Sequence, residues 1–510
     1  MILRLALFLL ASLFATGIGS AAAAQGDDPA EGVEEIVVTI TKRDESIQEV
    51  AAAVTVFGEA MIQETAIESM GDFVALMPNV TSKSENMGAL SIRGVAQGFL
   101  QAGSPTAQHL NGVFRQNDSN SFGYFGQFYD LEAIEVVRGP SGTIYGRNAT
   151  AGALNIRWKQ PHSGYEAFGD VTVGNYDLYQ FRGGVNIPLL GEGDERLMAR
   201  VVVQREKRDG YLDNLLLPQS QDPQGSDAWS ARLSLKSVMS EDLRVIFRAQ
   251  WFEDTSGSAD FAAVLRDREY PVGIFPVLNV QIFDVYNSLD LFESTIPRGP
   301  GWTLFTLGQT AIDIADAPAA LPRSSNPREL REAYQNIPGY DPMNRQYSAD
   351  IQIDWSLPEL PFLGKVAMTA LWGYDHGRPQ QTNAVDGTEI PIIDQLMFQN
   401  NHLYTGEIRF SSENEGPYSW IVGMFYFQNQ ANIDTIRTIT PFDQGFGTQT
   451  NNKQAGQAPF MSGTLRPFEL FGWDEAPTIE LFGGVRWNKD EIQTDSLSLD
   501  PTAPPGNEAE

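Results

Sequence analysis

Few side chains in this sequence are of the types that carry out covalent or metal chemistry. There are four histidines and no cysteine. The histidines are scattered, and no two lie four residues apart as the ligands of a zinc-binding helix do; they are His109, His162, His376 and His402. Without cysteine there is no disulfide scaffold, thiolate nucleophile or Cys-ligated metal. Neither a Gly-x-Ser-x-Gly turn nor a phosphate-binding loop occurs. The sequence therefore predicts no enzyme, no metal site and no cofactor.

The chemistry that remains is that of charge and backbone turns. The chain has 65 acidic and 35 basic side chains, a formal net charge of -30. Nucleic-acid binding depends on Lys and Arg contacts to phosphates, so this balance argues against a nucleic-acid partner. Glycines cluster with arginines in "RGPSGTIYGRNATAG", residues 138–152, where they permit tight turns and close backbone approach. We expect this stretch to be structural before it is functional.

The N-terminus predicts export. Arg4 precedes the 14-residue apolar stretch Leu5–Ile18, and Ala22 and Ala24 have the small-x-small spacing of a cleavage site. This pattern is typical of a signal peptide over residues 1–24 and is too short for a membrane span; the alternative is a buried N-terminal helix. No later window contains 18 consecutive apolar residues, so no transmembrane helix is expected.

The rest of the chain divides by its hydrophobic period. Residues 25–44 are predicted to be a flexible lead, and residues 45–160 a compact domain of short strands with helical spacing over 59–80. From residue 161 to 510 apolar and polar residues alternate, as in Trp229–Lys236 and Gln346–Trp355. We count about eleven such strand candidates, many with aromatic residues at their ends.

Alternating segments with aromatic ends and unequal connections are typical of a transmembrane β-barrel. The alternative is a soluble β-sandwich, whose connections should be short and even. The irregular stretch 254–344 argues against the sandwich. A barrel of eight strands fills its own lumen, whereas one of 22 strands can hold a separate plug domain. The predicted fold is therefore mainly β, a plugged barrel preceded by an α+β plug domain.

Particular motifs resemble one family. The segment "LEAIEVVRGPSGTIYGRNATAGALNI" (Leu131–Ile156) follows "SIRGV" (Ser91–Val95) and "LNGVF" (Leu110–Phe114), an order that resembles the plug of TonB-dependent outer-membrane receptors. Leu403–Gln430 and Ile479–Glu491 are similar to barrel strands of that family. Two details depart from its pattern: Asn111 stands where an acidic residue is usual, and "NIRWKQP" replaces the usual apolar-Thr-Lys run.

The resemblance implies a bacterial outer-membrane barrel of about 22 antiparallel strands, of which about 11 are present here, so we expect the chain to be C-terminally incomplete. It implies active uptake of a scarce small-molecule ligand, by default a ferric siderophore. Its partners would be the periplasmic energy-transducing protein TonB and outer-membrane lipid. The alternatives are import of a non-iron nutrient such as cobalamin or an oligosaccharide, and, less favoured, a passive porin or surface-binding protein.

The resemblance also assigns the TonB box, the segment that TonB grips. It falls on Glu35, Ile36, Val37, Val38 and Thr39. Physically, this β-prone segment could add an edge strand to a partner's sheet through main-chain hydrogen bonds. The alternative is an ordinary first strand of the plug.

In the plug motif, the resemblance implies that Arg93 and Arg138 form a latch with carboxylates of the barrel wall. The alternative is a solvated surface arginine. The full predicted set is Arg93, Gly94, Arg138, Gly139, Pro140, Gly142, Tyr145, Gly146, Arg147 and Asn148.

Ligand contacts are expected in the aromatic segment Asn120–Asp130 and in the insertion 254–344. The candidates are Phe122, Tyr124, Phe125, Phe128 and Tyr129. The alternative for these rings is loop packing within the lumen.

Overall fold

The computed structural model describes residues 37–38, 42, 45–46, 53–82, 90–95, 105–115, 128–210, 213–214, 225–256, 273–275, 280–281, 332–333, 344–361, 363–384, 393–413, 416–439, 444–470 and 479–499. The chain divides into two compact units, residues 1–37 and residues 38–510. Only Val37 of the first unit is among the described residues, so the predicted signal peptide lies outside them. Among the described residues no helix is long and apolar enough to cross a membrane.

The first part of the chain contains short elements. They are β1 (Val37–Val38), β2 (Glu45–Ser46), β3 (Val54–Gly58), α1 (Glu59–Glu64), α2 (Met70–Leu76), β4 (Val80–Ser82), β5 (Leu90–Ile92), β6 (Thr106–Leu110), β7 (Val113–Arg115), β8 (Leu131–Arg138), α3 (Gly142–Tyr145) and β9 (Gly152–Trp158). A five-stranded sheet of order β3-β8-β9-β6-β7 forms their centre, with β6 and β9 parallel and the other neighbours antiparallel. We call residues 53–158 the plug.

Helical spacing over 59–80 gives two helices instead of one. Ala66 has a φ of 48°, in the left-handed region that ends a helix. The second helix begins after Ser69, which caps it. The Ser69 hydroxyl accepts a hydrogen bond from the backbone N–H of Asp72, and the Asp72 carboxylate accepts one from the backbone N–H of Ser69. These two bonds form a capping box. Both helices turn apolar residues, among them Ile62 and Phe73, into the core above the sheet.

The second part of the chain is a long antiparallel sheet. Its elements are β10 (Glu166–Gly174), β11 (Leu178–Pro188), β12 (Met198–Arg208), β13 (Asp213–Asn214), β14 (Ser226–Ser240), β15 (Leu243–Asp254), β16 (Gly273–Phe275), β17 (Val280–Gln281), β18 (Glu332–Ala333), β19 (Asn344–Leu360), β20 (Gly364–Arg378), β21 (Gln380–Ala384), β22 (Ile393–Ser412), β23 (Tyr418–Ile439), β24 (Gln444–Leu465), α4 (Pro467–Leu470), β25 (Leu481–Arg486) and β26 (Lys489–Leu499). The main path is β10-β11-β12-β14-β15-β19-β20-β22-β23-β24-β25, and β26 continues β25 along β24. β21 likewise continues β20 along β22, so the sheet contains thirteen strands at eleven positions. We call this sheet the wall.

The wall has a polar inner face and an apolar outer face. Inner side chains that are buried against the plug are largely polar or charged, including Arg200, Arg232, Arg248, Asp350 and Asp375. The alternate residues of the same strands expose large apolar groups, including Val173, Trp229, Ile351, Trp372 and Ile408. A soluble sandwich would cover its apolar face and expose its polar one. The inverted pattern is that of a membrane barrel wall, and it confirms the predicted fold class.

The two ends of the wall differ in their connections. Residues 189–197, 241–242, 361–363, 413–417 and 466–480 join strands at one end, the short-turn end. Residues 175–177, 209–225, 255–343 and 440–443 join strands at the other, the long-connection end, which has the two longest connections. This difference orients the wall, because outer-membrane barrels have short periplasmic turns and longer extracellular loops.

The plug packs tightly against the wall at Gly373 of β20. A Cβ on this residue would lie 2.5 Å from Val113 Cγ1 of β7 and 2.8 Å from Thr405 Oγ1 of β22. Since neither group is the end of a long flexible side chain, only glycine allows this approach.

We therefore expect Gly373→Ala to lower the free energy of unfolding by about 1–3 kcal/mol, the usual cost of overpacking. Gly406→Ala on the adjacent strand is the matched control, because its Cβ would meet only Trp372, at 3.8 Å. Thermal unfolding of the full-length protein in detergent measures both variants. Equal midpoints for the two would contradict the close seating of β7.

Candidate functional site

The first tie between plug and wall is a buried arginine held by two carboxylates. Arg115, the last residue of β7, donates to Asp375 of β20 and, at 3.2 Å, to Asp350 of β19. Asp350 also accepts from Arg248 Nη1 at 2.6 Å. The Arg115 and Asp350 side chains are 1% and 2% exposed. Removing one partner from a buried ion pair leaves an uncompensated charge, so this cluster fixes the end of β7 to the wall.

The second tie lies nearer the short-turn end. Asp130, just before β8, accepts two hydrogen bonds from Arg200 of β12, from Nε at 2.9 Å and from Nη2 at 2.6 Å. Arg200 Nη1 also donates to Glu166 at 2.7 Å, and Arg232 donates to the carbonyl of Tyr129. A bidentate Arg–carboxylate pair fixes orientation as well as distance. It therefore positions the start of β8.

The third tie involves the segment before the plug. Lys42 Nζ donates to Glu407 Oε2 of β22 at 2.6 Å and lies 4.5 Å from the centre of the Phe460 ring. Arg409 Nη1 donates to the other carboxylate oxygen, Oε1, at 3.1 Å. Burial lowers the pKa of Lys42 to about 8, against the opposing attraction of Glu407.

A buried histidine lies beside this third tie. His109 of β6 packs between the rings of Phe114 and Tyr145, at centroid distances of 5.6 Å and 5.0 Å. Burial lowers its pKa to about 3, and burial also raises the pKa of the Tyr145 hydroxyl. Both groups are therefore neutral at physiological pH and act as packing groups.

The predicted arginine latch is not seen among the described residues. Arg93 is exposed in a turn with a φ of 53°, and its guanidinium lies against Gly139. Arg138 is half-buried. Neither arginine forms an ion pair within the part of the chain that the structure describes, so their latch role stays a prediction. In that part, Arg115, Asp130, Glu68 and Arg147 of the plug form ion pairs with the wall, and Lys42, which precedes the plug, does so as well.

The rest of the plug motif makes the turns expected of it. Gly139, Gly146 and Asn148 have positive φ values of 127°, 82° and 60°. Gly146 also faces the wall, since a Cβ there would lie 2.6 Å from the Arg486 guanidinium. Arg147 stacks on the Phe427 ring at 3.9 Å. The other predicted members are Gly94 and Pro140, which flank the two arginine turns, and Gly142 and Tyr145, which bound α3.

The ligand-contact prediction is corrected at Phe128. Phe122, Tyr124 and Phe125 lie outside the described residues. Phe128 is buried in the plug core and stacks on Phe73 at 6.4 Å. The Tyr129 ring lies under the Arg182 guanidinium at 4.8 Å. Phe128 thus packs within the plug core, whereas Tyr129 is half-buried against the wall and its ligand contact stays a prediction.

The TonB box overlaps the described residues at Val37–Val38, which form strand β1. Glu35, Ile36 and Thr39 lie outside them. An extended backbone at this position agrees with the β-prone composition, and the coupling role stays a prediction.

The buried tie at Arg115 predicts a larger mutational cost than the exposed Arg93. Arg115→Met should lower the free energy of unfolding by about 3–5 kcal/mol, because Asp350 and Asp375 lose a buried partner. Arg93→Met, the matched control on an exposed arginine, should cost less than about 1 kcal/mol. Chemical denaturation of the full-length protein in detergent gives both values. The reverse order would instead favour the latch predicted from the sequence.

Comparison with known proteins agrees with this architecture. Residues 46–153 match the model of the TonB-dependent Receptor Plug Domain. The chain is 26% identical over 217 residues to the pesticin receptor of Yersinia pestis, covering 41% of this chain and 30% of the relative. It is 23% identical to the ferric-pyoverdine 358 receptor of Pseudomonas putida, covering 35% of this chain and 21% of the relative.

Solved structures share the fold. The ferric yersiniabactin uptake receptor of Yersinia pestis superposes with a TM-score of 0.62 at 15% identity, covering 88% of this chain and 58% of that one. The ferripyoverdine receptor of Pseudomonas aeruginosa gives a TM-score of 0.61 at 11% identity, covering 96% of this chain and 60% of that one. This chain thus spans less than two thirds of each protein compared. Residues 46–153 are the plug domain of a TonB-dependent receptor, and the wall that follows has the fold of part of such a receptor's outer-membrane β-barrel.

Proposed function

We propose that the protein imports a scarce ligand, a ferric siderophore, across the bacterial outer membrane by TonB-dependent active transport. The observation that carries this proposal is a plug domain fastened to the inner face of the wall by buried ion pairs, including Arg115 with Asp350. A plug held in this way closes a passive path, so passage of a large ligand requires work on the plug. A passive porin would have no need of such a domain.

The siderophore is the favoured ligand because of the relatives. Two proteins similar to this chain are named for ferric siderophores, pyoverdine and yersiniabactin. The alternative is a non-iron nutrient. A vitamin B12 transporter of Vibrio vulnificus is 30% identical over 128 residues, which cover 24% of this chain and 20% of the relative.

The proposed mechanism divides the work between the two ends of the wall. The ligand binds from the long-connection end, which faces the cell exterior. TonB pairs with the backbone of Glu35–Thr39 on the periplasmic side by strand addition. Main-chain hydrogen bonds then transmit a pull that displaces part of the plug.

Growth under iron limitation tests this function. A strain producing the full-length protein and its deletion strain are compared with free iron, a panel of siderophores, cobalamin and glycans. Rescue of a growth difference by one siderophore supports ferric import. A growth difference confined to cobalamin or a glycan would support active import of that nutrient in place of a ferric siderophore. Equal growth under every condition would contradict the proposal.

The assignment of the TonB box predicts that uptake and ligand binding can be separated by mutation. Val37→Pro removes a main-chain donor from the proposed strand, so uptake should fall to the level of a TonB-deficient strain while ligand binding at the cell surface is retained. Val37→Ile, which keeps the donor and the β-branched side chain, is the matched control. Uptake and binding of a radiolabelled ferric siderophore measure both variants. Normal uptake by Val37→Pro would show that residues 35–39 are not the segment on which TonB pulls.

A further inference from the structure

We propose that the half of the inner wall nearer the short-turn end carries an anion-binding site, which receives the negative charge of the ligand as it passes the plug. The site consists of two adjacent rows of inner side chains that cross the wall from β14 to β25, and we call it the basic band. Its charged members are Lys236, Arg244, Asp354, Glu407, Arg409 and Arg486. The statement about the ligand rests on the proposed function, whereas the charge of the band does not.

Strand register places these side chains in line. The lower row consists of direct cross-strand partners on seven strands: Arg244, Asp354, Thr369, Arg409, Gly423, Phe460 and Arg486. The upper row lies two residues farther from the short-turn end and runs from Lys236 through Gln352 to Glu407. Neighbouring strands are about 4.8 Å apart, so the lower row covers about 29 Å of the wall.

The band holds more positive than negative charge. Four cations share two carboxylates, although the whole chain has a formal net charge of -30. Arg244 lies 3.5 Å from Asp354. Glu407 pairs with Arg409 and also with Lys42, which brings a further cation to the band. At least two positive charges are therefore left without a counter-charge.

The unbalanced cations are Lys236 and Arg486, since neither forms an ion pair within the part of the chain that the structure describes. Glu132 and Glu195 attract Lys236 only from a distance. Arg486 Nε donates to Asn488 at 3.0 Å, but its Nη1 and Nη2 are buried without an acceptor. Burial of a charged donor without an acceptor is costly, and an anion at this position would remove that cost.

The two rows above the band have the opposite balance of charge. From β14 to β26 they contain three carboxylates and two arginines. The plug supplies their missing partners, because Arg115 pairs with Asp350 and Asp375, and Arg147 lies 3.9 Å from Asp490. Among the described residues, no carboxylate of the plug forms an ion pair with the basic band. The positive charge of the band is thus left for a different anion.

The band is open to water at one side and covered at the other. The Arg244 side chain is 49% exposed. Arg486 lies under the plug turn at Gly146, where a Cβ would be 2.6 Å from its guanidinium. A pull that displaces this turn uncovers Arg486. The whole band therefore becomes available when the plug moves to let the ligand pass.

The ligand that complements the band is a ferric complex with a net negative charge. Three dianionic catecholate groups outweigh the charge of Fe³⁺, whereas three monoanionic hydroxamate groups only balance it. A cleft lined by one sign of charge raises the local concentration of ligands of the opposite sign, and hydrogen bonds from guanidinium groups to anionic oxygens are strong. The band therefore favours a catecholate or carboxylate complex over a neutral hydroxamate complex.

Thiol labelling with charged reagents measures the charge of the band without ligand or TonB. The sequence contains no cysteine, so Thr369→Cys in the full-length protein places a unique thiol between Asp354 and Arg409. Its reaction rates with a sulfonate-bearing and a trimethylammonium-bearing thiosulfonate are measured in outer-membrane fragments and divided by the rates with free cysteine. The anionic reagent should be favoured about tenfold. Adding Arg244→Gln should lower this preference severalfold.

Two matched controls accompany the labelling. Arg196→Gln, on an exposed arginine outside the band, should leave the preference at Thr369→Cys unchanged. Ser240→Cys, beside Glu241 and Asp242 at the short-turn end, should favour the cationic reagent. If Thr369→Cys does not assemble in the membrane, Gln352→Cys reports on the same band from its upper row.

Uptake of radiolabelled complexes tests the ligand class. Cells producing the full-length protein should accumulate a ferric tricatecholate or carboxylate complex in preference to a ferric trihydroxamate. Arg244→Glu should lower that uptake severalfold with unchanged binding at the cell surface, whereas Arg244→Lys, which keeps the charge, should retain most of it. Preferential uptake of the trihydroxamate would overturn the assignment of an anionic ligand.

The outcomes separate this inference from the proposed function. Equal reagent preferences at Thr369→Cys and Ser240→Cys would overturn the basic band whatever the protein transports. The expected labelling pattern combined with no growth phenotype on any nutrient would support the band as an anion site and contradict the transport proposal instead.

Discussion

The arrangement of this protein depends on one constraint: charges on the inner face of the wall must be paired where the plug meets them. The outer face presents apolar groups such as Trp372 and Ile408, as contact with lipid requires. Much of the inner face is polar, and there Asp350 and Asp375 meet Arg115 of the plug. Beside these pairs, Phe114 of the plug packs on Phe425 of the wall within a buried apolar cluster. Pairing of charges thus acts together with hydrophobic packing to seat one domain in the other.

This arrangement suits the movement of the plug that the proposed import requires. Separating the apolar contacts would expose hydrophobic surface to the lumen, at a cost proportional to its area. Polar partners can exchange protein contacts for water at a much smaller net cost. The plug keeps its own apolar core, around Phe73 and Leu154, so it can shift against the wall without unfolding as a whole.

Much of the fold could be predicted from sequence because its signals are local. Alternation over ten residues predicted the wall strands, and the glycine-rich turns marked the plug. The ties could not be predicted, because Arg115 and Asp350 are 235 positions apart and no local pattern joins them. Arg93 was predicted to form a latch because of its motif, yet its side chain is exposed in a turn. Phe128 was expected to contact a ligand because it lies in an aromatic-rich segment, whereas its ring is buried in the plug core.

The central claim is that work done through TonB moves ligand past a fastened plug. The most direct test is uptake of a radiolabelled ferric siderophore by cells that produce the full-length protein, with and without functional TonB. The account predicts equal binding at the surface of both cells and accumulation inside only those with TonB. Equal accumulation in both would contradict it, because the ligand would then pass the plug without any pull.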